Sequence, residues 1–299
     1  MILGVDIGGT NIKFGIIDEN YNIVARRSIP TATQHGAQAI VEDIIKMALE
    51  LQKEYPLTAI GIGTPGTVDY ANGICVRCAN IPYQNTPMTG PVQEATGLPV
   101  KLANDASCAI CGELYAGNGR EYQNLVMITL GTGVGGGIII DGKPYFGTRG
   151  GAGEFGHMVI DASGRPCRCG QKGCLEQYAS VTALIRETQL AAEQNPDSVL
   201  AQFCKEEVNG QSVFDAVKAG CPVAKQVLDS YLNYLAVGVT SLTRIFQPDV
   251  VVLGGAVTNQ EDALVQPLRE KIKLPVKVVI SQLKNDAGII GAAAMAVEQ

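Results

Sequence analysis

The chain has 299 residues, of which 46% are hydrophobic and 17% charged, a balance that supports one large packed core or two ordinary ones and excludes a disordered chain. Lysine and arginine number 23 against 29 acidic residues, for a net charge of −6, so no broad basic surface for nucleic acid is expected and any phosphate must be held locally. No apolar run approaches the roughly 18 to 20 residues that span a bilayer, and MILGVDIGG reaches Asp6 without a positive charge, so no targeting peptide and no membrane partner are expected and the cytoplasm is the expected location.

Residues 2–7 (ILGVDI) read as a strand, GGT as a tight turn, IKFGIID as a returning strand and IVARRSI as a third. A helix is predicted from about 36 to 55, where Ile40, Ile44, Met47 and Leu51 recur at helical spacing before Pro56. A strand follows at 57–63, and PVKLA (99–103) is another, leading through Asn104-Asp105 into the helical stretch ASCAICGELYAG. The second half begins as the first did: NLVMITL (124–130), the glycine turn GTGVGG (131–136) and GIIID (137–141) repeat the order strand, turn, strand. Helices are predicted at about 176–194, 211–219 and 222–246, then a buried strand DVVVLGGAV (249–257) and an alanine-rich helix at 286–297. Strands and helices mixed throughout indicate an α/β protein with two similar lobes and a cleft between them.

Three GxGxxG matches, at 61–66, 131–136 and 151–156, are set aside as dinucleotide fingerprints. Such a fingerprint needs a strand before it and a helix after it, and none of the three has both. No Walker sequence occurs either, because the one Gly-Lys pair, Gly142-Lys143, runs into Pro144. DIGGT and GTGVGG fit better as two equivalent hairpins whose backbone N–H groups, with the hydroxyls of Thr10 and Thr132, cradle phosphate. Glycine is expected there to allow positive φ and close approach of the ligand. Gly254-Gly255 ends a third such strand and suits adenosine.

Asp105, at a strand end where a helix begins, fits a helix N-cap. In a phosphoryl-transfer site the same carboxylate can take a hydroxyl proton, with Asn104 holding a neighbouring hydroxyl. Asp6, ending the first strand, suits either a turn or the orientation of Mg²⁺ through water.

His157 followed by Cys167, Cys169 and Cys174 is a Cys₃His set suited to tetrahedral Zn²⁺. Four protein ligands close the shell, which marks a structural site. Cys75-x-x-Cys78 and Cys108-x-x-Cys111 offer a second zinc site, against which the latter pair lies in a predicted helix at the i,i+3 spacing of core thiols, and Cys204 and Cys221 have no assigned role. Glu154 and Glu176 flank the metal ligands, where carboxylates can accept paired hydroxyl hydrogen bonds from a polyol. The second ring nitrogen of His157 is then left for substrate.

Taken together, DIGGTNIK, LANDA, LGTGVGGG, GEFGH and CRCGQKGCLE resemble the ROK family (repressors, open reading frames, kinases) over nearly the whole chain, and within it the sequence is similar to bacterial glucokinases. The resemblance implies an actin-like, ribonuclease H-like ATPase fold with two lobes, 1–118 plus 287–299 and 119–286, the latter carrying the zinc loop. It also implies ATP-dependent phosphorylation of a hexose, first of all glucose, at its 6-hydroxyl, with Mg²⁺ and structural Zn²⁺, in a homodimer. By motif, Asp105 would be the general base, Asn104, Glu154, His157 and Glu176 would bind sugar, and Gly66 and Asn80 would line the pocket. Nucleotide would meet Asp6, Gly8, Gly9, Thr10, Asn11, Lys13, Gly131, Thr132, Gly133, Gly254 and Gly255. Regulators of the family carry an N-terminal DNA-reading domain, whereas here the first strand starts at residue 2, so repression is not expected. The glucokinases often place a Trp soon after Asn-(Ile/Leu)-Pro; here the segment is Asn80-Ile-Pro-Tyr-Gln in a chain without Trp, which leaves mannose, fructose, allose or an N-acetylhexosamine open. A non-catalytic sugar sensor and an assembly ATPase are the rival classes.

Overall fold

The computed structural model describes residues 1–78, 80–148 and 150–297. Its strands are β1 (Ile2–Ile7), β2 (Asn11–Ile17), β3 (Ile23–Pro30), β4 (Ala59–Thr64), β5 (Thr67–Asp69), β6 (Ile74–Arg77), β7 (Gln84–Pro87), β8 (Val100–Asn104), β9 (Leu125–Leu130), β10 (Val134–Ile140), β11 (Lys143–Pro144), β12 (Val250–Gly254) and β13 (Lys277–Ile280). The helices are α1 (Ala37–Glu54), α2 (Thr89–Thr96), α3 (Asp105–Ala116), α4 (Glu176–Ala179), α5 (Val181–Gln194), α6 (Val199–Phe203), α7 (Ser212–Lys218), α8 (Pro222–Phe246), α9 (Glu261–Lys271) and α10 (Ala287–Val297).

The chain forms two compact units, Met1–Gln123 with Gly137–Gly153 and Ser281–Gln299, and Asn124–Gly136 with Glu154–Ile280. These bounds differ from the expected lobes mainly in residues 137–153, which group with the first unit. The reason is local: Gly137 lies against the Ile110 side chain and the Ala106 carbonyl of α3, where a Cβ has no room. Residues 298 and 299, included in the expected first lobe, lie outside the described residues.

In the first unit a five-stranded sheet has the order β3-β2-β1-β4-β8. The first three strands form an antiparallel meander, and β1, β4 and β8 run parallel. Alternate side chains sort to the two faces, as a strand's two-residue period requires. Leu3, Val5 and Ile7 pack with Ile40, Ile44 and Leu51 of α1, whereas Ile2 and Ile17 join Ile289, Ile290 and Ala293 of α10. The glycines among these strands permit close packing: Gly4 sits against Ile289 and Gly61 against the Ala292 carbonyl of α10. That contact explains why α10 is built of alanine and glycine. A separate three-stranded sheet, β5-β6-β7, completes the strands of this unit's first half.

The second sheet has the order β11-β10-β9-β12-β13, the same pattern of hairpin strands followed by parallel ones. The duplication read from the sequence therefore has a structural counterpart. The helix predicted at 176–194 is two helices, because Ser180 leaves helical geometry and its hydroxyl accepts the Ala183 N–H (3.0 Å) as the N-cap of α5. The small sheet, α2, α6 and α9 are additions that the sequence pattern did not mark.

Candidate active site

In the first unit the parallel strands bring several expected residues to one sheet edge. Asp6 is in register with Gly63, and Asn104 with Thr64, so Asp6 and the start of α3 lie two strand spacings apart, roughly 10 Å. Ligands of open α/β sheets bind at this carboxyl edge. Asp6 pairs across to Lys13 on β2, whose Nζ is 3.8 Å from Oδ2. Burial pushes the Asp6 carboxyl above the usual carboxylate range, with Lys13 opposing. Gly288 of α10 passes the carboxylate so closely that a Cβ would lie 3.1 Å from Cγ.

The turn between β1 and β2 is closed by Gly8 N–H donating to Asn11 O (2.9 Å). Thr31 braces it from behind, its N–H donating to Thr10 O (2.8 Å) and its hydroxyl to Gly8 O (2.7 Å). Thr10 and Asn11 are exposed. The expectation that glycine is needed here for positive φ is corrected: none of Gly8, Gly9, Gly131 or Gly133 lies in the left-handed region. Beyond their chain neighbours, no heavy atom lies within 4 Å of where a Cβ would stand on Gly9 or Gly131, so these backbones are open to an approaching group.

At the start of α3 the N-cap is Asn104, not Asp105. Its Oδ1 accepts N–H from Ala106 (2.9 Å) and Ser107 (3.4 Å), and its Nδ2 donates to Gly66 O (3.0 Å). Asp105 is the first helical residue, with Oδ1 accepting the Ala106 N–H (2.8 Å). The helix begins one residue earlier than the apolar pattern indicates, which shifts the cap. Gly66 takes φ 99°, and a Cβ there would strike the Arg77 carbonyl and Cys78. Asn80 is exposed.

In the second unit, Gly131 N–H donates to Gly133 O (3.0 Å). Two groups at the start of α5 hold this turn, with Val181 N–H on Gly131 O (2.9 Å) and the Thr182 hydroxyl on Thr132 O (2.7 Å). Glu176 Oε2 accepts the Val134 N–H (3.0 Å) and lies where a Cβ on Gly133 would be. Gly254 is in register with Thr129, and Gly255, at φ 100°, packs on the Leu130 carbonyl, so both glycine turns share one sheet edge.

The ligand atoms of His157, Cys167, Cys169 and Cys174 all lie within 4.8 Å of one another. Cys167 Sγ is 3.6 Å from His157 Nδ1, and Cys169 and Cys174 Sγ are 3.6 Å apart. Zinc–sulfur bonds of roughly 2.3 Å in a tetrahedron place sulfurs about 3.8 Å apart, so the donor set fits the ion in both chemistry and spacing. The loop is knit by bridges between Val159 and Cys174 and between Pro166 and Lys172. His157 presents Nδ1 to the thiols. Glu154 is exposed, and its carbonyl accepts the His157 N–H (3.1 Å); Glu176 starts α4 two residues beyond Cys174. Among the described residues this is the one such convergence of His, Cys, Asp or Glu. Cys108 and Cys111 are buried within α3, and burial pushes the Cys111 thiol up to about 12, as core thiols require.

The model of the ROK family matches residues 2–299. The chain belongs to the ROK family. A glucokinase of Thermotoga maritima is 34% identical over 309 residues, covering 100% of this chain and 98% of that protein. Among solved structures, a ROK family glucokinase from Streptomyces griseus in complex with glucose and AMPPNP superposes with a TM-score of 0.86 at 32% identity, covering 99% of this chain and 98% of that one. A ROK hexokinase from Thermus thermophilus gives a TM-score of 0.84 at 32% identity, with 99% and 97% covered. The fold is therefore the actin-like ATPase fold. Thr31, Val181, Thr182 and Gly288 were not marked by the sequence; each acts through a contact distant in the chain, for which no local spacing gives a signal.

Proposed function

We propose that this ROK family protein is an ATP-dependent glucokinase, transferring the γ-phosphoryl group of ATP to the 6-hydroxyl of glucose. The observation that carries the reading is the start of α3. Asn104 supplies the cap, and the Asp105 carboxylate stands one residue beyond it, at the edge of the parallel strands. There Asp105 accepts the O6 proton as that oxygen attacks Pγ and the bond from Pγ to the β–γ bridging oxygen breaks, releasing ADP. Such transition states are loose, so positioning contributes more than basicity.

Sugar hydroxyls are held by the second N–H of Asn104 Nδ2, by Glu154, by Nε2 of His157 and by Oε1 of Glu176, with Gly66 and Asn80 lining the pocket. The bare turns at Gly8, Gly9 and Thr10 and at Gly131, Thr132 and Gly133, with Asn11 and Lys13, take the phosphates, and Gly254 and Gly255 take adenosine. Asp6 would hold Mg²⁺ through water; when bound, that ion neutralises phosphate charge. His157, Cys167, Cys169 and Cys174 would hold Zn²⁺ as a structural ion that orients the imidazole.

Full-length similarity to glucokinases supports glucose over other hexoses. We further infer a homodimer acting in the cytoplasm. Val237 and Ile245 share one face of α8 and are 45% and 65% exposed, which suits a second copy of the chain. No helix among the described residues is long and apolar enough to cross a membrane.

A coupled ADP-release assay over glucose, mannose, fructose, allose, N-acetylglucosamine and N-acetylmannosamine tests the reading. Glucose should give the highest kcat/KM. Absence of ADP release with every sugar would indicate a sensor, ADP release without any sugar would indicate an assembly ATPase, and a rival sugar favoured by about tenfold or more, about 1.4 kcal/mol, would displace glucose.

A further inference from the structure

Tyr70 follows β5 and is not a residue to which any motif assigns chemistry. Its hydroxyl accepts the N–H of Asn104 (3.4 Å) and donates to Ser107 Oγ (3.2 Å). These partners flank Asp105, one residue before it and two after. Ser107 is only 4% exposed, so water does not readily replace the phenol. Burial raises the Tyr70 pKa above its ordinary value, which keeps the hydroxyl a donor.

The ring is fixed as firmly as its hydroxyl. It stacks on Phe146 with centroids 4.8 Å apart and planes at 25°. Gly150, at φ 70°, approaches so closely that a Cβ would lie 2.6 Å from the ring carbons Cδ2 and Cε2. Phe146 and Gly150 belong to the stretch that leaves the first unit at Gly153 and continues into Glu154. One side chain thus anchors both the first turn of the helix that begins with Asp105 and the segment that leads to Glu154 and His157.

We propose that Tyr70 is a positioning residue for Asp105: its hydroxyl holds the Asn104 N–H before the base and the Ser107 Oγ after it, and the Phe146 and Gly150 contacts fix the hydroxyl. The proposal rests on Asp105 being the base. A misplacement of about 1 Å in such a group costs up to about 10²-fold in rate. Loss of the phenol hydroxyl should therefore lower turnover without removing any group that contacts sugar.

The test compares Tyr70→Phe, Ser107→Ala, the double variant and Asp105→Asn by kcat, glucose KM and melting temperature. Tyr70→Phe should lower kcat about tenfold while glucose KM stays within about twofold. Ser107→Ala should show the same split, and the double variant should be no slower than the slower single one, because both remove one shared hydrogen bond. Unchanged kcat in Tyr70→Phe beside an inactive Asp105→Asn would overturn the positioning role and leave the base in place. Losses that multiply in the double variant and follow the melting temperature would overturn it in favour of plain structural support. Near-normal turnover in Asp105→Asn would overturn this proposal and the assignment of the base together.

Discussion

The Asn104 side chain makes a cap and a tether that a pair of substitutions can separate. Asn104→Ala removes the cap on Ala106 and Ser107 and the tether from Nδ2 to Gly66 O. A lost cap costs about 1 kcal/mol and a lost internal hydrogen bond about 1 kcal/mol more, so the variant should be destabilised by about 2 kcal/mol. At roughly 2 °C per kcal/mol for a chain of this size, the melting temperature should fall by about 4 °C. Asn104→Ser keeps a capping oxygen but cannot reach Gly66, so its loss should be about half as large. Thermal unfolding followed by far-ultraviolet circular dichroism reads both, and glucose KM should rise in each because the second N–H of Nδ2 is gone. If the serine variant melted with the alanine one, the cap would contribute nothing. If neither moved, the account of how α3 starts would be wrong.

Cys169→Ser should lower bound zinc, measured by elemental analysis of the purified protein, to well below that of the parent. It should also lower the melting temperature and raise glucose KM, since the same loop sets His157, Glu154 and Glu176; full activity in zinc-free protein would contradict this. Glu176→Ala should raise the KM for ATP as well as for glucose, by about fivefold each, because it frees the Val134 N–H behind the second glycine turn. A rise confined to glucose would show that the bond does not shape the turn.

The sheets were legible because their strands are apolar runs broken by glycine, and because 2–17 and 125–140 repeat one order. The cluster of His157, Cys167, Cys169 and Cys174 was legible because its spacing is local. What escaped detection is instructive in physical terms. Asp105 was read as a possible cap because the apolar pattern of α3 starts at Ala106, yet the helix includes Asp105 and Asn104 caps it. The sequence predicts positive φ for the glycines at 8, 9, 131 and 133, whereas none of the four lies in the left-handed region. Thr31, Tyr70 and Thr182 act on turns and helix starts more than 20 residues away in sequence, and a single hydroxyl at long range leaves no periodic trace. The short β5-β6-β7 sheet was missed for a related reason, its strands being only 3 to 4 residues long.

The most direct test of the central claim is the turnover of Asp105→Asn with saturating ATP and glucose, alongside glucose binding by calorimetry. An amide keeps the shape of the side chain and removes its basicity, so kcat should fall by about 10²-fold or more while the glucose Kd stays within a few fold. Turnover close to that of the parent, with binding intact, would show that Asp105 does not take the proton.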